Sequence, residues 1–218
     1  MTEIWLVRHG ETPWNAERRV QGWEDVPLND TGIGQAQALG RHLAQLRDAG
    51  TAIDAIYSSD LKRAHQTARI VAESLGLEPR LESGVRERHY GVLQGLIFNA
   101  MQEHQPEATA IWQSREPEAA LPGGESLGAF HRRVVSAVDA IARRHPGERI
   151  MVVSHGGAMD IIWRHAHNVD LRAPRAAPLL NASINRLTVG PQGWNIIAWG
   201  EVSHLDRVTD TVGNDVTP

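Results

Sequence analysis

The sequence contains no cysteine. Disulfide bridges, cysteine-based zinc sites and thiolate nucleophiles are therefore all excluded. Lysine is nearly missing as well: of 22 basic residues, only Lys62 is one. There is no basic run, and the formal charge is −4 at pH 7, so general nucleic-acid binding is not expected. No apolar stretch is long enough for a membrane span, and the N-terminus lacks the basic lead and apolar segment of a signal peptide. The expected setting is the cytoplasm. A phosphate-binding loop of the GxxxxGK[ST] kind is also absent.

What is present reads as one large α/β unit. At 218 residues and 41% hydrophobic content, the chain can bury a core without disulfide or metal staples. Residues 1–205 are read as one domain and 206–218 as a polar tail. Short apolar runs alternate with segments of helical period, the pattern of a mostly parallel sheet with crossover helices. Strands are expected at 3–8, 53–58, in "ERIMVVSHGG", and in "ASINRLTV" and "GWNIIAWG", the last two joined by a turn at Gly190–Gly193. Helices are expected at about 31–47, 60–75 and 126–145, and another from near Ala158. Residues 10–30 read as a loop, and 83–124 as an irregular helical excursion broken by prolines and glycines.

Two strands end alike. "WLVRHG" and "VVSHGG" each run from apolar residues into a histidine and then glycine, the place where open α/β sheets bind ligands. A lone histidine there is more often structural. Two in matching positions, the first beside Arg8, define a candidate site around His9 and His155. A third strand end, "YSSDLKRAHQTA", feeds a helix that Ser59 or Asp60 is placed to cap. Arg63 falls in its first turn, off the apolar stripe, where an arginine makes a ready anion site.

With these residues assembled, "LVRHGETPWN" resembles the signature of the histidine phosphatase superfamily, which includes the cofactor-dependent phosphoglycerate mutases. "QGWEDVPLNDTGIGQAQALG", "SSDLKRAHQTA", "RERHYGVLQG", "LPGGES" and "VSHGG" are similar to its later blocks, in the right order along nearly the whole chain. The resemblance implies a three-layer α/β/α sandwich, phosphoglycerate mutase-like, and chemistry through a phosphohistidine. It implies His9 as nucleophile, with Arg8, Arg63 and His155 forming the phosphate pocket and Glu87 as proton donor. It also places Asn15, Gln21, Gly22, Tyr90 and Gly156 at the substrate. No metal or other cofactor is implied.

The chemistry suits those residue types. Two guanidiniums neutralise and orient a phosphate monoester through bidentate hydrogen bonds. A neutral imidazole attacks phosphorus, and neighbouring arginines disfavour its charged form. A carboxylic acid protonates the leaving alkoxide and afterwards activates water. The partner implied is a small phosphorylated metabolite, with no nucleic acid and no membrane; a homodimer is left open.

Within the family, "ERHYG" at 87–91 is the form typical of the mutases. Those enzymes carry a lysine shortly afterwards and a paired arginine further on that grip the rest of the substrate. Here Phe98 stands at the lysine's place, and residues 105–120 hold only Arg115. Chain length, "LPGGES" and "VSHGG" favour the phosphatase branch. Phosphoester hydrolysis is therefore the expected reaction, mutase activity the alternative, and a non-catalytic phosphate-binding protein the alternative of another class. Other features take plainer readings. The spacing of His165 and His167 makes their side chains diverge on a helix, against a metal site. Lys62 and His65 belong to a solvated helix face, "GES" at 124–126 starts the long helix, although the family block keeps a functional role open for it, and the seven tryptophans are core and pocket wall.

Overall fold

The computed structural model describes residues 1–205; the polar tail expected from Asp206 onward lies outside the described residues. Six strands form one sheet: β1 (Thr2–Arg8), β2 (Ala55–Ser58), β3 (Pro79–Leu81), β4 (Arg149–Ser154), β5 (Ile184–Gly190) and β6 (Gly193–Glu201). Their order is β3-β2-β4-β1-β5-β6. The first four in that order pair in parallel, while β5 and β6 close one side as antiparallel strands. Among the described residues the α-helices are α1 (Pro13–Ala16), α2 (Asp30–Asp48), α3 (Lys62–Leu75), α4 (Met101–His104), α5 (Pro106–Ser114), α6 (Leu127–Arg144) and α7 (Gly156–His167). None is long and apolar enough to cross a membrane.

The strand period of two explains the three layers. Ile4 and Leu6 of β1 pack with Phe130, Val134 and Val138 of α6 and with Met159 and Ile162 of α7. Trp5 and Val7 point the other way, into Leu39 and Leu43 of α2 and Ala64, Ala68 and Val71 of α3. A strand covered on both faces has no reason to alternate with polar residues, so β1 is apolar throughout its centre. The irregular excursion builds a small core from Leu93, Met101, Ala108 and Leu121, joined by Val20 of the 10–30 segment.

Three local expectations need correction. Neither Ser59 nor Asp60 caps α3. The N-cap is Leu61, without a side-chain bond, and the Lys62 N–H is taken instead by Asp25 at 2.7 Å, from the 10–30 segment. The expected caps are engaged elsewhere: Asp60 accepts from the Arg86 Nε at 2.6 Å, and the Ser59 hydroxyl lies 2.8 Å from the His155 Nε2. The 10–30 segment is not all loop, because Thr12 forms a capping box with Asn15 and nucleates α1. Of the seven tryptophans, only Trp5 is fully buried, while Trp112, Trp194 and Trp199 pack half-buried against the cores and the rest take no part in them.

Candidate active site

Sheet order brings the two similar strand ends together. β1 and β4 are neighbours in register, Arg8 opposite Ser154, so the next residue of each strand is a histidine. The rings of His9 and His155 lie 5.2 Å apart. β2 flanks β4 on its other side and leads into α3, which delivers Arg63. A cavity opens at this edge, lined by Arg8, His9, Asn15, Gln21, Gly22 and Arg63, with Glu87, Tyr90 and Gly157 opposite. Counting the open space at its mouth, the hollow measures about 460 Å³. His155 is fully buried against His9 and does not itself line the cavity.

The first histidine is held in one state. His9 Nδ1 lies 2.7 Å from the Gly10 carbonyl. A carbonyl only accepts, so Nδ1 carries the proton and Nε2 keeps its lone pair. Burial, reinforced by the Arg63 and Arg8 charges, holds the His9 pKa well below the ordinary 6.5. His155 is depressed for the same reasons, burial first and then Arg63. Its Nδ1 is buried without a hydrogen-bond partner.

The arginines are anchored by backbone. Arg8 Nη1 donates to the Leu179 carbonyl. Arg63 donates to the carbonyls of Gly22 at 2.7 Å and Glu24 at 2.9 Å, and burial lowers its pKa to about 10. These bonds fix the loop above the cavity. Gly22 sits there at φ +54°, a conformation in which a side chain would be strained.

Glu87 comes from the excursion. Its carboxylate accepts the N–H groups of Arg88 at 2.7 Å and of Gly157 at 2.9 Å. The second bond shows why a glycine stands at position 157 of α7. A Cβ on Gly157 would stand 2.1 Å from Glu87 Oε1. Gly156, the glycine expected at the substrate, is buried and off the cavity wall; Gly157 lines it instead. Asn15 and Gln21 reach the wall tied to Thr12.

The sequence reading missed Arg19 and Arg175, which line the same cavity with Phe98 and Val20. Arg175 lies in the irregular stretch between α7 and β5, where no periodicity or motif marks it. It also borders an adjoining hollow containing Arg115 and Asp160. Asp160 lies 3.3 Å from Arg115, 2.9 Å from Arg164 and 3.6 Å from Arg175. Arg115 therefore does have a cationic neighbour, supplied from outside the 105–120 window. His165 packs edge-on against Trp194 at 4.6 Å, and His167 lies on Trp163 at 4.2 Å. Among the described residues no cluster of three or more His, Asp or Glu is arranged to hold a metal.

Two histidines at adjacent strand ends, facing paired arginines and a carboxylate, are the layout of one enzyme class. Residues 4–202 match the sequence profile of the histidine phosphatase superfamily, branch 1, and the protein belongs to that family. It is an enzyme of the histidine phosphatase type. The chain is 43% identical to phosphoglycerate mutase-like protein 4 of Arabidopsis thaliana, over 94% of this chain and 87% of that one. It is 40% identical to the metal-independent phosphoserine phosphatase of the same plant, over 95% and 85%. Among solved structures, Bacillus stearothermophilus YhfR superposes with a TM-score of 0.84 at 30% identity, covering 94% of this chain and 100% of that one.

Proposed function

We propose that the protein hydrolyses small phosphate monoesters in two steps through a phosphohistidine at His9. The observation that carries this reading is the state of His9: buried, neutral, with its Nδ1 proton on Gly10 and two guanidiniums beside it. Arg8 and Arg63 bind the phosphoryl oxygens and stabilise charge at the transferring group. His9 Nε2 attacks phosphorus, and the ester oxygen leaves with a proton from Glu87. Glu87 then takes a proton from water, which attacks the phosphohistidine and releases orthophosphate. His155, buried behind His9 with its Nδ1 unpartnered, is assigned to hydrogen-bond the phosphoryl group once it is bound.

The outer wall suggests the kind of alcohol. Arg19 and Arg175 add positive charge beyond the phosphate end, while Phe98 and Val20 add an apolar side. Small acidic leaving groups suit that wall, and the Arabidopsis relative is named for phosphoserine. The proximity of Arg175 to Arg115, together with a mutase-like relative, supports phosphoglycerate mutase activity as a second reading. Retention of both His9 and Glu87 in one cavity argues against a non-catalytic binding protein.

A screen of phosphate esters with released orthophosphate as readout tests the proposal. Turnover of at least one small acidic ester, lost in His9→Ala, is the expected result. Isomerisation of phosphoglycerate without phosphate release would favour the mutase. No turnover of any ester would contradict both.

A further inference from the structure

The backbone that carries Glu87 is held by a side chain that is absent from the cavity wall. Arg133 lies at the end of the second turn of α6. Its guanidinium donates to three carbonyls of one short segment: Gly84 at 2.9 Å, Arg86 at 3.1 Å and Glu87 at 3.1 Å. It also pairs with the Glu125 carboxylate. Glu125 accepts the His89 N–H at 2.9 Å, and its carbonyl accepts the Arg88 guanidinium at 3.1 Å. Trp23 Nε1 donates to the same Glu87 carbonyl at 2.8 Å.

The result is a two-sided hold on one residue. Arg133 and Trp23 grip the main chain of Glu87, while the N–H groups of Arg88 and Gly157 grip its carboxylate. Only a planar guanidinium, with its five donors in a fork, can span three carbonyls and a carboxylate; an ammonium cannot. We propose that Arg133 is a positioning residue for the reaction, fixing residues 84–87 so that the Glu87 carboxyl stays at the leaving-group oxygen. The "GES" block thereby gains a role beyond starting α6. Ser126 caps the helix by accepting the Ala129 N–H at 3.1 Å, and Glu125 steadies Arg133. Trp23 ties the same point to the loop over the cavity, next to Gly22.

This inference rests on Glu87 being the proton donor, and the experiment separates the two. The kcat and KM of Arg133→Ala, Glu87→Gln and the double variant are measured with the best alkyl phosphate of the screen and with p-nitrophenyl phosphate. An alkoxide needs a proton to leave, whereas p-nitrophenolate does not. Arg133→Ala should lower kcat/KM, which reads phosphorylation of His9, about 10- to 100-fold for the alkyl ester and far less for the aryl ester, while kcat, limited by the water step that Glu87 also serves, falls for both. Added to Glu87→Gln, it should cost no more than about 2-fold further, because it acts through the residue already disabled.

Equal losses of kcat/KM on both esters, or a full additional loss in the double variant, would make Arg133 merely structural and overturn the inference. If Glu87→Gln alone shows no leaving-group dependence, the proton-donor reading falls, and this inference with it. Should Arg133→Ala fail to fold, Trp23→Phe removes a single bond to the same carbonyl. That variant must show the same leaving-group pattern at smaller size, and its absence would count against the proposal equally.

Discussion

His9, Arg8, Arg63, His155 and Glu87 are each held by a backbone group or a buried neighbour before any substrate arrives. Gly157 tests how closely that holding is tuned. In Gly157→Ala the new methyl group would overlap the Glu87 carboxylate, which must turn away from the cavity. The variant should lose about 10²-fold or more in kcat/KM for an alkyl phosphate, while kcat/KM for p-nitrophenyl phosphate suffers less. Equal rates for Gly157→Ala and the parent protein would show that Glu87 is not fixed there. Residues of this kind were partly legible. His9 and His155 announce themselves because each follows an apolar strand and precedes glycine, and the family blocks point to Arg63 and Glu87. Arg133 and Arg175 are silent in the sequence: one sits in the middle of a helix and the other in a stretch without period. Their significance arises from what the fold sets beside them.

Elements were more readable than the contacts at their ends. α2 and α6 were expected at 31–47 and 126–145 and span Asp30–Asp48 and Leu127–Arg144, because long amphipathic stripes carry their own signal. β3 has only three residues, too few for any period to show. The cap of α3 was misplaced because a long-range partner, Asp25, outcompetes Ser59 and Asp60, which have other bonds to make. Asp25→Ala should therefore destabilise the protein by about 0.5–2 kcal/mol in a denaturant titration. The Lys62 amide should exchange faster in that variant and remain protected in Asp60→Asn. The opposite pattern would restore the cap the sequence suggested. Since Arg63 follows Lys62 and binds the Gly22 and Glu24 carbonyls, Asp25 also helps seat the loop over the cavity.

At the scale of the whole molecule, the sheet sets two neutral histidines side by side in its interior, and this has a thermodynamic consequence. Both have folded pKa values held well below the ordinary 6.5. The unfolded chain thus takes up protons near pH 6.5 that the folded chain refuses. The stability tied to this pair is complete above about pH 6.5 and is lost as the pH falls toward the depressed folded values. Each histidine contributes about 1.4 kcal/mol per pH unit in that window. In phosphate-free buffer, the protein should be measurably less stable to unfolding at pH 5.5 than at pH 7.5. A His9→Asn, His155→Asn variant should flatten that slope; an unchanged slope would mean that other groups govern it. The same architecture leaves His9 as a neutral imidazole on the wall of a cationic cavity, and that is the claim on which the account turns. Rapid quenching of turnover with ³²P-labelled substrate tests it most directly. The account predicts a phosphoprotein that is acid-labile and base-stable, accumulates further in Glu87→Gln, and disappears in His9→Ala. A His9→Ala protein that forms the same intermediate, or keeps full activity without one, would contradict it.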